Sequence, residues 1–288
     1  MDKLCYQFGL GDFKCIAVTD GLFTRDDARF LFKNPPDDVL KEALQAYGIR
    51  LDCIPASATC LLVDTGQHRV LIDTGFGAGV NPEVGGLLQN LAGEGIYPPD
   101  IDTVILSHGH PDHIGGSTDS QNLPTFPKAD YVMWQAEWDY WTSEKTLANE
   151  REVAAQFARK NLPPLSNRIT LVDQAGVEIR PGIFAVPAPG HSLGHMAIEI
   201  RSQGEWLYFL ADTALHPLHF EHPDWFAVVD ANPEQVLSTR RKLFEQIAAE
   251  QALILGYHFE YPGLGYIVPS GSSWRWKVSD DAAQSGDC

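Results

Sequence analysis

Short apolar runs separated by polar segments recur along most of this chain. Runs at 13–21, 102–107 and 181–213 are rich in β-branched and aromatic residues and predict strands. The stretch 58–75 has two such runs around a polar turn that contains glycine, which predicts a hairpin. Further short strands are predicted at 130–134 and 252–258.

A different spacing predicts the helices. Within 82–95, Val84, Leu87 and Leu91 recur at intervals of three and four residues, as on one face of a helix. The pattern at 232–250 predicts a longer amphipathic helix. Shorter helical segments are predicted near 37–48, within the otherwise irregular stretch 22–57, and at 135–144 and 146–160.

Strands and helices are mixed along the whole chain, with no linker and no break in composition. This organisation predicts one domain, 1–288, of the α/β (α+β) class, in which helices cover the sheets. The polar stretch 278–288 is predicted to be a disordered tail.

The chain of 288 residues has a formal net charge of −17. Such a surface repels phosphate backbones and anionic lipid, so we expect no nucleic-acid or membrane partner and a neutral or cationic small molecule instead. No apolar run approaches the length of a membrane span, and the first residues do not resemble a secretory signal. The five cysteines are scattered and odd in number, which together with the missing signal predicts reduced thiols and a cytoplasmic location.

The segment 107–116, SHGHPDHIGG, places three histidines and one aspartate within six positions. Neutral imidazoles packed together lose hydration, and charged ones repel each other, so a purely structural role does not explain the cluster. A metal ion resolves both problems, because imidazole nitrogen and carboxylate oxygen are its ligands. We therefore expect His108, His110, Asp112 and His113 to be metal ligands.

Four ligands are too few for two closed metal sites, and three more candidates follow later in the chain. His191, Asp212 and His258 each come shortly after an apolar run, where a strand is predicted to end. A set of seven ligands suits two metal ions that share one bridging carboxylate.

The order of these residues resembles the metallo-β-lactamase superfamily, whose pattern is HxHxDH followed by a distant His, Asp and His. The resemblance implies a four-layer αβ/βα sandwich with two mixed sheets faced by helices. It also implies two divalent metal ions, zinc first, with manganese, iron or cobalt as alternatives. By this resemblance the first ion is held by His108, His110 and His191, the second by Asp112, His113 and His258, and Asp212 bridges the two.

Two further residues are expected to support the ligands. Asp73, at the end of the run VLIDTG, matches an aspartate that orients a ligand histidine in the superfamily. His195 follows His191 by four positions and is expected to give structural support to the site.

The region around the last ligand resembles the methyl parathion hydrolase and N-acyl homoserine lactonase branch. The segments HFEYPGLGYI (258–267), SSWRWK (272–277) and NPEQVLSTRRKLF (232–244) carry this likeness. It implies a hydrolase of neutral lactones or esters, N-acyl homoserine lactones among them, with phosphotriesterase side activity. A hydroxide that bridges the metals is the expected nucleophile, and Asp112 and Asp212 are the expected catalytic carboxylates, with Asp112 passing a proton to the leaving alkoxide.

One other branch stays open. Glyoxalase II-like thioesterases share all seven ligands and bind the carboxylates of glutathione through basic residues near the C-terminus. Arg275 and Lys277 are the basic candidates after His258 in this chain.

The substrate pocket is expected to be built from loops above the metals. Aromatic walls suit an acyl chain or an aryl ester. A homodimer is left open. The predicted pocket residues are Leu22, Phe23, Trp138, Trp141, Phe220, Trp225 and Phe259.

Overall fold

The computed structural model of the chain describes residues 4–149 and 152–283. Within them, fourteen strands form two sheets of seven strands each. The first sheet follows chain order. Its first four strands are antiparallel neighbours and its last four are parallel neighbours. Its strands are β1 (Cys5–Leu10), β2 (Phe13–Arg25), β3 (Ile54–Asp64), β4 (Arg69–Ile72), β5 (Thr103–Leu106), β6 (Asp130–Trp134) and β7 (Ile169–Val172).

The second sheet is also contiguous in the chain. All its neighbouring strands are antiparallel except one parallel pair, β11 and β12, which a long helix connects. Its strands are β8 (Glu178–Arg180), β9 (Ile183–Pro187), β10 (Met196–Ser202), β11 (Glu205–Phe209), β12 (Leu253–Leu255), β13 (Leu264–Ser270) and β14 (Ser273–Val278).

Nine α-helices lie within the described residues. The longest, α8, begins where the side chain of Asn232 accepts a hydrogen bond from the backbone N–H of Gln235, directly before Pro233. The helices are α1 (Asp37–Ala46), α2 (Leu87–Gly93), α3 (Pro111–Ile114), α4 (Gln135–Trp141), α5 (Glu144–Leu147), α6 (Val153–Asn161), α7 (Leu218–Glu221), α8 (Pro233–Glu250) and α9 (Asp280–Ala283).

The largest core joins the two sheets face to face. Leu71 and Ile105 of the first sheet are buried in one cluster with Ile198 and Phe209 of the second. A second cluster packs α8 on the other face of the second sheet, where Phe244 contacts the buried strand residues, while α2 packs on β2 of the first sheet. Helices therefore cover two packed mixed sheets, which confirms the predicted α/β sandwich.

Most predicted elements are present, but β1, β7, β8, β13 and β14 were not predicted, and the helix predicted at 146–160 corresponds to two helices, α5 and α6. Three further differences concern the bounds of elements. The strand predicted at 13–21 continues to Arg25, into the stretch expected to be irregular. It does so because β2 pairs with β3 on both sides of a register shift between Thr19 and Gly21. The helix predicted over 82–95 is confined to α2, since the glycines at 85 and 86 precede it. Val278, the first residue of the predicted tail, lies in β14, and α9 follows it, whereas residues 284–288 of the predicted tail lie outside the described residues.

Candidate metal centre

The seven predicted ligands converge at one edge of the two sheets. His108 and His110 follow β5. Asp112 and His113 lie in α3, directly after Pro111, which is the first residue of that helix. The other three ligands follow strands of the second sheet. His191 comes after β9, Asp212 lies in a 3₁₀ turn (Ala211–Thr213) after β11, and His258 comes after β12.

The first ligand group consists of His108, His110, His191 and Asp212. His110 Nδ1 lies 3.0 Å from His108 Nε2 and 2.9 Å from His191 Nε2. Oδ2 of Asp212 lies 3.1 Å from His191 Nε2 and 3.9 Å from His108 Nε2. Three ring nitrogens and one carboxylate oxygen thus face a common point.

The second group consists of Asp112, His113 and His258. His258 Nε2 lies 3.3 Å from Asp112 Oδ2, and His113 Nε2 lies 3.7 Å from the same oxygen. The other carboxylate oxygen of Asp212, Oδ1, reaches this group at 3.2 Å from His113 Nε2 and 3.4 Å from His258 Nε2. Asp212 therefore presents one oxygen to each group.

These donor sets fit two divalent metal ions. Ligand atoms at tetrahedral corners about 2.0–2.1 Å from a zinc ion are separated by about 3.3 Å, close to the spacings within both groups. His113 Nε2 and Asp212 Oδ1 are buried and have no hydrogen-bond partner. Because a buried polar atom without a partner is costly, these two atoms indicate a bound cation.

The other ring nitrogen of three ligand histidines is held by an acceptor. Asp73 Oδ2 lies 2.7 Å from His113 Nδ1, and Ser57 offers its backbone oxygen to His258 Nδ1 at 2.8 Å. His191 Nδ1 lies 2.8 Å from Asp230 Oδ1. Such contacts fix the tautomer and the orientation of each ring. Asp73 thus lies where the sequence places it, but Asp230 and Ser57 were not singled out by sequence.

His195 lies beside the ligands without joining them. Its Nδ1 lies 3.1 Å from the backbone oxygen of Ala188, and its Nε2 accepts the backbone N–H of Asp212 at 3.0 Å. Burial, followed by the charge of His191, lowers the pKa of His195 to about 3. The neutral ring therefore accepts a hydrogen bond from the backbone of Asp212, and its role in supporting the site stays a prediction.

Glu137, on α4, is a supporting residue that sequence reasoning missed. Its buried carboxylate accepts hydrogen bonds from the backbone N–H of Gly109 at 3.0 Å and of Gly194 at 2.7 Å. It also accepts from Trp141 Nε1 at 2.6 Å and from the Ser192 hydroxyl at 2.8 Å. One carboxylate thereby joins the loop of His108 and His110 to the loop of His191. A single glutamate in a helix gives no sequence signal for this.

The carboxylates and histidines at the centre shift each other's pKa values. Burial raises the pKa of Asp212, but the charges of His258, His113 and His191 outweigh it and hold that pKa well below its ordinary range. Burial lowers the pKa of His191, whereas Asp212 and Asp230 raise it, to about 9 overall. The Asp212 carboxylate is therefore ionised near neutral pH, the form that binds a cation.

A cavity of about 470 Å³ opens onto the centre at Asp112, Asp212 and His258. Arg25 and Glu152 contribute its charged side chains besides the ligands. We call this space the site cavity. Its apolar wall includes Phe30, Phe76, Val153, Phe157, Leu215 and Val229.

None of the seven residues predicted to form the pocket is among those that line the site cavity. Phe220 and Phe259 are buried together under α8, and Trp225 is buried in a cluster with Phe32. Trp141 is buried with its ring 5.7 Å from that of His110, and Trp138 packs on the main core. Two others stand near the centre but outside the lining. The Phe23 ring lies 6.4 Å from the His258 ring, and Leu22 on the same strand is exposed.

Comparison with known proteins agrees with this fold and centre. The family model of the metallo-beta-lactamase superfamily matches residues 54–258, which contain all seven ligands, and the chain belongs to that superfamily. More narrowly, it is a metal-dependent hydrolase. An N-acyl homoserine lactonase of Bacillus cereus is 26% identical over 221 residues, covering 69% of this chain and 80% of the relative. A probable metallo-hydrolase of Mycobacterium tuberculosis is 26% identical over 252 residues, 75% of this chain and 73% of the relative.

Two solved structures are similar over nearly the whole chain. One is AidC, a dizinc quorum-quenching lactonase in complex with a homoserine product, with a TM-score of 0.86 and 27% identity over 97% of this chain and 99% of that one. The other is the hydrolase AbOPH, with a TM-score of 0.87 and 25% identity over 97% and 98% of the two chains. In the described part of the present chain, no helix is long and apolar enough to cross a membrane.

Proposed function

We propose that this chain hydrolyses neutral lactones, with N-acyl homoserine lactones as leading substrates and simple esters or phosphotriesters as side substrates. The observation that carries the proposal is the site cavity of about 470 Å³, largely apolar, that opens onto Asp112, Asp212 and His258. A space of this size suits a ring with an attached acyl chain. The lactonase names of the similar proteins support the same substrate class.

The apolar wall sets an expected preference among acyl chains. Phe157 and Val153 of α6 lie in the wall with Phe76 and Leu215. Each methylene that these side chains bury stabilises the complex by about 0.8 kcal/mol, until the cavity is filled. The specificity constant is therefore expected to rise with chain length and then to level off.

The chemistry divides between bound ions and protein. Two divalent ions would supply Lewis acidity toward the substrate carbonyl and an activated water. The nitrogen and oxygen donors favour zinc as the metal. Asp212 holds the two ligand groups at a fixed separation through its two oxygens. Asp112 turns Oδ2 toward His258 at 3.3 Å, and we assign its Oδ1 the transfer of a proton to the leaving alkoxide.

The thioesterase alternative has less support. Glutathione carries two carboxylates, and the basic residues expected to bind them, Arg275 and Lys277, lie on β14 outside the cavity lining. Lys277 Nζ also lies 3.8 Å from Asp280. A neutral substrate therefore fits the cavity better than one that carries two carboxylates.

The experiment is a substrate comparison with zinc-loaded full-length protein. We expect kcat/KM for N-hexanoyl homoserine lactone to exceed that for S-lactoylglutathione and for paraoxon by at least ~10-fold, about 1.4 kcal/mol of transition-state stabilisation. A higher value for S-lactoylglutathione would establish the thioesterase function in its place. Absence of turnover of every lactone tested, in protein that holds two metal ions, would contradict the proposal outright.

A further inference from the structure

Arg25 ends β2 and places the one guanidinium group on the described wall of the site cavity. Its guanidinium carbon lies 4.7 Å from the centre of the Phe30 ring and 5.4 Å from that of Phe23. A cation over aromatic faces is held in place without using its N–H groups. The two rings therefore fix the position of the guanidinium and leave its donors available.

The protein offers those donors no partner among the described residues. Arg25 Nε is buried and makes no hydrogen bond. Glu152, the one acidic side chain of the described cavity lining besides the candidate ligands, accepts a hydrogen bond from Asn149 at 2.8 Å. By contrast, Arg69 Nε on β4 lies 2.9 Å from Asp64 Oδ2. A buried donor without an acceptor costs about 1–3 kcal/mol, so its presence in a cavity wall points to a ligand that supplies the acceptor.

The strand places Arg25 at a defined distance from the chemistry. Residues two apart in a strand share one face, so Arg25 and Phe23 point the same way. The Phe23 ring packs 6.4 Å from the ring of the ligand His258 and 6.2 Å from the ring of Phe76. Arg25 therefore lies one step outward from the ligands, beside the part of a substrate that extends beyond the scissile bond.

We infer that Arg25 is a specificity-determining residue that selects substrates with a second carbonyl oxygen outside the scissile ester, as in the amide of an N-acylated lactone. This inference rests on the proposed lactonase function. The guanidinium N–H groups donate to such an oxygen, whereas a purely alkyl substituent leaves the buried Nε–H unpaired. A second carboxylate is disfavoured, because the single guanidinium shares the cavity with Glu152 in a chain of net charge −17.

The test compares two zinc-loaded variants on two matched lactones. Arg25→Met keeps an unbranched side chain and removes the charge and all the donors, and Arg25→Lys keeps the charge without the planar fork. The substrates are N-hexanoyl homoserine lactone and an alkyl γ-lactone of similar length that lacks the amide. We expect R25M to raise KM at least ~10-fold for the amide substrate and less than ~3-fold for the alkyl lactone, with R25K in between.

Controls separate this effect from folding and from metal loss. R241M changes the same charge on the exposed face of α8 and is expected to leave both KM values unchanged. Metal content is measured on every variant and is expected to match the wild type. Calorimetric binding of the hydrolysed products of both lactones gives a readout independent of turnover, and R25M is expected to weaken it at least ~10-fold for the product with the amide and less than ~3-fold for the product without it.

The outcomes distinguish the inference from the function it rests on. Equal losses on the amide and alkyl lactones would overturn the role of Arg25 and leave the lactonase function standing. Equal losses of binding for the two hydrolysed products, which share a carboxylate, would show that the guanidinium binds an anion, which also overturns it. Wild-type protein that turns over no lactone would refute the proposed function, and product binding by wild type and R25M would then decide the inference alone. If R25M does not fold, R25K with equal losses on both lactones overturns it.

Discussion

Oε1 of Glu137 accepts the backbone N–H of Gly109 at 3.0 Å, in the one-residue gap between the ligands His108 and His110. Both oxygens of this carboxylate meet only donors, so Glu137→Gln turns an NH₂ group toward at least one of them. We expect the variant to bind the metal ion of the first ligand group about 10-fold more weakly. The loop of His108 and His110 and the loop of His191 would no longer share an acceptor that pairs with all their donors. Competition with a chelator measures this affinity.

The matched control for that variant is Glu245→Gln, the same change on the exposed side of α8. It is expected to leave metal affinity as in the wild type. Unchanged affinity in E137Q itself would mean that the ligand loops hold their positions without the carboxylate.

A variant of Asp212 gives a second test of the metal centre. Asn at this position offers one oxygen where two are needed, so Asp212→Asn cannot serve both ligand groups. We expect metal content to fall from about two ions per chain and turnover to fall at least ~100-fold, since activation of water depends on both ions. Elemental analysis and steady-state kinetics measure the two effects. Asp173→Asn, on the exposed surface, is the control; two firmly held ions and normal turnover in D212N would exclude the bridge.

The buried residue His216, which is not one of the candidate ligands, is expected to contribute to the loss of stability in acid. Burial lowers its pKa from an ordinary value of 6.5 to about 3. The unfolded chain therefore takes up a proton that the folded chain does not, and the free energy of unfolding falls as the pH falls from 6.5 toward 3. The slope from one such proton is about 1.4 kcal/mol per pH unit.

The variant His216→Asn isolates this proton. Its side-chain oxygen can accept the backbone N–H of Leu218, which the His216 Nδ1 accepts at 3.1 Å. We expect urea unfolding of the metal-free variant between about pH 4 and 7 to show a slope smaller than that of the metal-free wild type by one proton. Parallel slopes for the two proteins would show that His216 is protonated in the folded state.

Replacement of Trp141 is expected to affect metal binding, whereas replacement of a residue in the cavity wall would affect the preference among substrates. Its Nε1 donates to Glu137 at 2.6 Å, and a Cβ at Gly109 would approach its ring to 2.2 Å, so indole and loop are in close contact. Trp141→Phe is expected to weaken metal binding a few-fold, while the preference among acyl chains stays as in the wild type. Chelator competition and a chain-length series give the two readouts. A changed chain-length preference with intact metal affinity would place Trp141 in the wall after all.

The ligands could be predicted from sequence because each has a local signal. His108, His110 and Asp112 lie within one short motif, and Asp212 and His258 follow apolar strands whose ends meet at one edge of the sandwich. The supporting residues have no such signal. Glu137 and Asp230 are single acidic residues whose partners lie far away in the chain, and only tertiary packing brings them together.

The substrate pocket was hard to predict for a different reason. An aromatic residue near a ligand in sequence can pack into the core or line a cavity, and both uses have the same local pattern. Phe220 and Phe259 follow Asp212 and His258 closely, yet their rings pack on each other at 5.7 Å in the core. The residues that do line the site cavity, such as Phe157 and Val153, come from α6, which has no sequence link to the ligands.

Each ligand group takes members from both sheets, and each sheet is built from one continuous stretch of chain. His108 and His113 follow β5, in the half that ends at Val172, whereas His191 and His258 belong to the half that begins with β8. The ions would therefore act as cross-links between two consecutive halves of the polypeptide, in addition to the apolar core that joins the sheets. If the chain were cut in the connection between β7 and β8, bound metal would strengthen the association of the two fragments, so that their affinity for each other would report metal concentration.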